Sequence, residues 1–168
     1  MSKREADVLV AIQDKLFDVP GVLLTARGLS HFGEHALGWM GLSAAGAVVD
    51  KQQSRKWLAL GAGAFTAHAA SVVLKRVVRR KRPTDPRIRI GVGTPSKLSF
   101  PSSHATSTTA AMVSLADITG SKVPYIGIPV MMLSRMVLGV HYPTDTVAGA
   151  ALGAACARAA IQIERTTA

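Results

Sequence analysis

Three short runs of the sequence carry residue types able to hold an anion and move a proton. Lys75 is followed after six residues by Arg82-Pro83, then comes Pro101-Ser102-Ser103-His104, and last Ser134-Arg135, five residues, His141, three residues, Asp145. Arg135 lies inside an otherwise apolar stretch, where a guanidinium without a counter-charge is costly. His141 follows six residues on, almost two turns along a continuous helix, and Pro143 then breaks that helix. Asp145 is placed to cap the next helix or to reach back to the histidine, and a buried Arg–carboxylate pair is the plainer use for it. In isolation the first two runs say less. A lysine and an Arg-Pro at a basic helix end are commonly a solvated terminus, and Pro-Ser-Ser-His reads as a helix start with serine caps. The surrounding charge adds weight, because residues 75–97 hold nine Lys or Arg and a single acid, Asp85. Such a stretch needs an anion, so the chemistry on offer is anion binding beside two histidines and a carboxylate.

The elements that must position these residues are helices. Residues 3–17 place Val8, Ile12 and Leu16 at four-residue steps, with Leu9 and Leu16 seven apart and charges on the other side, a short amphipathic helix that Pro20-Gly21 stops. It is too short and too charged to cross a bilayer, so it lies at the interface or packs on the domain. Residues 21–32 are ambiguous. Five candidate spans follow: His35–Val49, the uncharged Trp57–Leu74, Ala105–Ala116, Val123–Tyr142 with Arg135 inside it, and Thr146–Ile163 with Arg158 inside it. A full span takes about 20 apolar residues, and several of these are shorter. The expected fold class is all-α: an integral-membrane helical bundle of about five spanning helices behind an N-terminal amphipathic segment over 1–32. It forms one domain over 1–168, with the chemistry between 75 and 145. A soluble all-α bundle is the alternative. Residues 81–101 form the one long irregular stretch, rich in Pro and Gly, and its basic residues and terminal Ser/His cluster mark it as functional.

Composition bounds the rest. The chain has 168 residues, 48 % hydrophobic but only 5 % aromatic, so its apolar content is mostly Ala, Gly, Val and Leu. Small residues at this density suit helices that approach closely, as in membrane bundles. The mean hydropathy of +0.26 is mild and decides nothing alone. A net charge of +10 points to an anionic membrane or nucleic acid. One cysteine, Cys156, excludes an intrachain disulfide and a Cys-based zinc site, and in its Ala-rich run it reads as a small buried hydrophobe. Glu5, Asp7, Asp14 and Asp18 interrupt residues 1–30, so no cleavable signal peptide is expected.

Taken together, in order and with their spacings, the three runs resemble the type 2 phosphatidic acid phosphatase (PAP2) superfamily, which includes membrane lipid phosphatases as well as soluble vanadium haloperoxidases and acid phosphatases. That family's signature is a lysine, six residues and Arg-Pro; then Pro-Ser-Gly-His; then Ser-Arg, five residues, His, three residues, Asp. Every part is present. Ser103 is the one departure, standing where the family most often has Gly; serine is small enough to keep a turn but disfavours a positive φ there. The resemblance runs from Lys75 to Asp145, and the flanks are alike only in being helical and apolar.

This resemblance implies a division of labour. Lys75, Arg82 and Arg135 neutralise a phosphomonoester dianion, while Ser102, Ser103 and N–H groups at the start of the following helix add donors. His141 attacks phosphorus and forms a phosphohistidine. Asp145 holds the other ring nitrogen, and His104 protonates the leaving alkoxide, then takes a proton from water. No metal and no cofactor are expected, since no carboxylate cluster suited to Mg²⁺ occurs. The remaining histidines read more plainly. His31 and His35 flank Glu34 as interfacial residues able to line an entrance, and His68 reads as a hydrogen-bonded packing residue. Met131-Met132 reads as core.

Helix ends that carry these residues must share one membrane face. That face also carries Arg27, Arg76, Arg79, Lys81 and Lys97, against Lys51, Lys56 and Lys122 on the other, so the positive-inside rule predicts a cytoplasmic active site in the plasma (inner) membrane. An active site between apolar helices suits a lipid phosphate whose tail stays in the bilayer. The extra cations Arg79-Arg80-Lys81, Arg87 and Arg89 are available to a polar head or to anionic lipids. In its small size and Ala-rich, basic character the chain is similar to the small actinobacterial members that remove the 5-phosphate from decaprenylphosphoryl-phosphoribose. The alternatives are a phosphatase for phosphatidic acid, phosphatidylglycerophosphate or a polyprenyl diphosphate, a phosphotransferase, and a non-catalytic binder of anionic lipid or nucleic acid. The expected partners are the lipid phosphate and the membrane, with no nucleic acid and with a homo-oligomer left open.

Overall fold

Small side chains are concentrated where helices touch. The computed structural model describes residues 3–167, and among them it forms seven helices and no strand beyond a single antiparallel bridge between Lys81 and Leu98. The helices are α1 (Lys3–Leu16), α2 (Val22–Phe32), α3 (Leu37–Val49), α4 (Ser54–Val78), α5 (Ser103–Thr119), α6 (Gly127–Val137) and α7 (Pro143–Thr166). Short 3₁₀ turns at Glu34–Ala36, Lys51–Gln53 and Val123–Ile126 lead into α3, α4 and α6.

At the centre lies α5, buried almost throughout and packed between α4 and α7. The buried side of α4 is Leu60, Gly63, Ala64, Ala67, Ser71 and Lys75, a stripe at steps of three and four that ends on the lysine. The buried side of α7 begins at Asp145 and continues through Gly149, Gly153 and Ala157. A Cβ at Gly149 or Gly153 would run into the α5 backbone at Ser102 or Thr106, so glycine sets the α5–α7 separation. Large apolar side chains instead point outward: Leu58, Phe65, Val73, Val77, Val147 and Ile163 are all exposed. Only 28 % of the most apolar window of α4 and 22 % of that of α7 is buried. A soluble bundle would place these residues in its core, so the expected alternative of a soluble protein does not fit. By length and composition α4 and α7 are the helices able to cross a membrane unaided, while α3, α5 and α6 are shorter.

Three sequence expectations are corrected. The ambiguous residues 21–32 fold as a helix, α2, packed against α6. In α1 the fully buried residues are Ala6, Leu9 and Gln13; of the expected apolar face Leu9 is buried, Ile12 and Leu16 are half-buried and Val8 is exposed, because Gln13 is a buried polar strut. Its amide donates to Arg89 O (2.7 Å) and Val137 O (2.8 Å) and accepts from Arg89 N (2.9 Å). The continuous helix through His141 is also absent. α6 ends at Val137, where Gly139 at φ 71° turns the chain, its N–H bonding Met136 O (2.9 Å) while Val140 N reaches Arg135 O (3.3 Å). These are the paired bonds of a glycine-terminated helix end. His141 therefore stands on a reversed turn, and Pro143 opens α7 at a position that needs no N–H.

Candidate active site

Six of the sequence-predicted site residues, Lys75, Arg82, Ser103, His104, Arg135 and His141, line a cleft of about 470 Å³, while Ser102 and Asp145 are buried outside its lining. Lys75 closes the α4 stripe and is nearly buried; its Nζ donates to Ser99 O (3.1 Å) and to Pro101 O, fixing the loop that leads into α5. Arg82 is held by loop carbonyls, with Nε on Ser96 O (2.8 Å) and Nη1 on Val140 O (2.7 Å). Burial lowers its pKa to about 10, partly opposed by Asp145, so it stays cationic at neutral pH. Arg135 is 2 % exposed, and its Nε and Nη1 have no hydrogen-bond partner among the described residues. A buried guanidinium with idle donors carries a large desolvation cost unless an anion takes them up.

The two serines divide. Ser102 is fully buried and caps α5, its hydroxyl accepting from Ala105 N (3.5 Å), while its own N–H bonds Asp145 O (2.9 Å) and so joins the starts of α5 and α7. Ser103 borders the cleft as the first residue of α5, within 2.8 Å of Ser71 Oγ. It shows no positive φ, which is why a side chain is tolerated where the family prefers glycine.

His141 lies at the floor of the cleft, 2 % exposed. Its Nε2 is 3.3 Å from Arg82 Nη1. A guanidinium only donates, so Nε2 is the lone-pair nitrogen and Nδ1 carries the proton. Nδ1 faces Asp145 Oδ2 at 3.6 Å, beyond hydrogen-bond reach, and has no other partner. Burial, then the charges of Arg82, Arg135 and Lys75, hold the His141 ring well below the ordinary histidine pKa, so it is neutral. His104 is fixed through Nε2, which donates to Ser30 O at 2.9 Å and leaves Nδ1 for proton transfer.

Sequence reasoning missed what holds Asp145. Its carboxylate does cap α7, with Oδ2 accepting from Tyr142 N (2.8 Å), but Oδ1 is taken by Arg80 Nη1 at 2.7 Å. Arg80 also pairs with Glu5 (2.6 Å) and lies over the Tyr142 ring at 4.3 Å. Burial alone would raise the Glu5 carboxyl, but hydrogen bonds from Thr144 and Arg80 outweigh it and hold it below the usual range. Arg87 pairs with Asp7 and Asp85, and Arg89 with Asp18. Three of the cations read as available to lipid heads are thus neutralised by acids of the protein itself, most of them on or just after α1. The signal was present as complementary charge between residues 5–18 and 80–89.

The histidines read as peripheral also reach the cleft: His31, His35 and His68 all border it, together with Glu34. His68 is not the hydrogen-bonded packing residue expected, since its Nδ1 is buried without a partner. Met131 is core, and Cys156 is half-buried and unpaired.

Known proteins are similar to this chain in sequence and in fold. The PAP2 superfamily model matches residues 56–167. The chain is 63 % identical over 145 residues to decaprenylphosphoryl-5-phosphoribose phosphatase of Mycolicibacterium smegmatis, covering 86 % of this chain and 81 % of that one. It is 56 % identical over 150 residues to the protein of the same name from Mycobacterium tuberculosis, covering 89 % and 85 %. In fold it is similar to a transmembrane PAP2-type phosphatidylglycerolphosphate phosphatase from Bacillus subtilis, with a TM-score of 0.75 and 21 % identity over 98 % of this chain and 88 % of that one. With its outward apolar surface, its helical core and relatives this close along most of their length, the chain belongs to the PAP2 superfamily as an integral-membrane phosphatase.

Proposed function

We propose that this protein hydrolyses the 5-phosphate of a polyprenylphosphoryl-5-phosphoribose lipid, by way of a phosphohistidine on His141 and without a metal. The observation that carries the chemistry is the pair of idle, buried guanidinium donors of Arg135 at the floor of a cleft that also holds Lys75, Arg82 and His141. The substrate rests on the names of relatives at 56–63 % identity.

The phosphoryl oxygens take the donors of Arg135, Arg82, Lys75 and Ser103, which lowers the charge that repels a nucleophile. His141 Nε2, unprotonated, leaves its contact with Arg82 and attacks phosphorus as the bond to the ribose oxygen breaks. His104, protonated on Nδ1 as well as Nε2 once the phosphate dianion is bound, gives its Nδ1 proton to that leaving oxygen. It then takes one from the water that attacks the phosphohistidine, which frees inorganic phosphate and returns both rings to their starting forms. Asp145, clamped by Arg80, faces Nδ1–H and offsets the charge the ring gains on phosphorylation. The cleft opens on the cytoplasmic side of the plasma membrane, a reading supported by the excess of Lys and Arg at the catalytic end.

The test is phosphate release by purified protein in detergent with excess EDTA. Substrates are polyprenylphosphoryl-5-phosphoribose, phosphatidic acid and a polyprenyl diphosphate. Release should survive EDTA, favour the phosphoribosyl lipid, and fall by about 10,000-fold in His141→Ala. A requirement for divalent metal, or activity that ignores the loss of His141, would overturn the mechanism. Preference for another lipid would overturn the substrate.

A further inference from the structure

The cleft is wider than the phosphate cradle, and its other wall uses residues with no part in phosphoryl transfer. Glu34 and His35, on the turn between α2 and α3, and His68, on α4, border it together with the cations. His68 precedes Lys75 by seven residues, two helical turns along the same face of α4, so both project into one cavity. The rings of His35 and His68 lie 5.7 Å apart, tilted by 57°. The turn is bent by two successive non-glycine residues in left-handed backbone, His35 at φ 52° and Ala36 at φ 61°. Such conformations are disfavoured and tend to occur where side chains must be aimed at a ligand.

Glu34 and His35 are exposed and so available to a ligand in the cleft, and one ring nitrogen of the half-buried His68 is unbonded. Among the described residues neither Glu34 nor His35 has a hydrogen-bond or ion-pair partner, and His68 Nδ1 is buried without one. Elsewhere at this end the acids Glu5, Asp7, Asp18, Asp85 and Asp145 each hold an arginine. The chemistry of the set is also specific. A carboxylate only accepts hydrogen bonds, and a neutral imidazole offers one donor and one acceptor. A second anion would be repelled by Glu34, whereas adjacent hydroxyls, each donor and acceptor, match the set.

We propose that Glu34, His35 and His68 form a hydroxyl-binding subsite that receives the pentose ring carrying the scissile phosphate. This rests on the reading above that the phosphate is borne on ribose. It gives the selectivity a physical basis: a leaving group with no further hydroxyl, such as diacylglycerol, would leave the buried His68 Nδ1 unpaired, and a site built to bond a hydroxyl discriminates against an analogue that lacks it.

Binding is tested apart from turnover by calorimetry on full-length His141→Ala protein with ribose 5-phosphate, 2-deoxyribose 5-phosphate and inorganic phosphate. Ribose 5-phosphate should bind about 10-fold tighter than inorganic phosphate, with the deoxy sugar weaker than ribose. Adding Glu34→Gln or His35→Ala, both surface changes, should erase that advantage without weakening inorganic phosphate. Equal affinity for all three anions, or an advantage that survives both changes, would overturn the subsite. The lipid assay separates the two readings. Sugar discrimination in a protein whose wild type ignores the phosphoribosyl lipid keeps the subsite and removes the substrate assignment; turnover of that lipid without discrimination removes the subsite alone.

Discussion

At the residue scale, the arginines of this protein do three different things, and only partner and burial tell them apart. Arg135 and Arg82 face the cleft, Arg87 and Arg89 bond acids on the exposed surface, and Arg80 is bound into the structure beneath His141. Asp145 is fully buried and Arg80 is its only ion-pair partner among the described residues besides the histidine. Removing one member of such a pair strands a charge away from water, at a cost of about 3 kcal/mol or more. Arg87 is itself exposed and pairs with the exposed Asp7 and the half-buried Asp85, so its loss should register little. Arg80→Ala is therefore expected to lower the unfolding temperature clearly and to depress turnover with phosphate affinity kept, while Arg87→Ala leaves both near wild type. Thermal unfolding in detergent beside an inhibition constant for inorganic phosphate checks this, and equal effects of the two changes would show that Arg80 is only another surface cation. That these three runs would meet at one cleft was legible from residue type and spacing. The role of Arg80 was not, because a basic stretch in a sequence carries no mark of which cation meets an acid brought from 65 residues later.

At the scale of elements, long apolar runs announced α3, α4, α5 and α7, since hydropathy and helical period agree over their length. They failed at the end of α6. Residues 136–142 are as apolar as the helix before them, so nothing in hydropathy stops the run; the single stop signal is Gly139. The face of α1 was misread for a related reason, as a buried glutamine occupies a position that periodicity reserves for an apolar residue. Gly139 and Gly120 make a controlled comparison. Both have positive φ, 71° and 64°, but a Cβ at Gly139 would strike Arg89 O, while one at Gly120 would meet nothing. An alanine in left-handed backbone costs about 1–2 kcal/mol by itself. Gly120→Ala should show that cost and keep full activity. Gly139→Ala should cost more and lose most activity, because relief of the clash moves the turn that carries His141. Unfolding temperature and turnover measured together decide it. Full activity in Gly139→Ala would mean that the turn tolerates displacement.

For the molecule as a whole, the two ends of the bundle differ in charge, and the proposed orientation follows from that difference. α4, at 25 residues, is about 37 Å long, enough to cross a hydrocarbon core of about 30 Å. One end of the bundle gathers α1, the 79–102 loop and the catalytic turn, and the other carries Lys51, Lys56 and Lys122 at short connections. Folding neutralises part of the catalytic end through Glu5, Asp7 and Asp18, yet this does not weaken the orienting signal. Retention depends on Lys and Arg near the membrane, and acids contribute little to it. The end with more cations should therefore stay in the cytoplasm although its surface is largely ion-paired. Lys97 and Lys122 are exposed reporters at opposite ends. In a Cys156→Ala background, Lys122→Cys should react with a membrane-impermeant maleimide on intact cells, and Lys97→Cys only after the membrane is opened. The reverse pattern would place the cleft on the outer face and overturn the proposed cytoplasmic site.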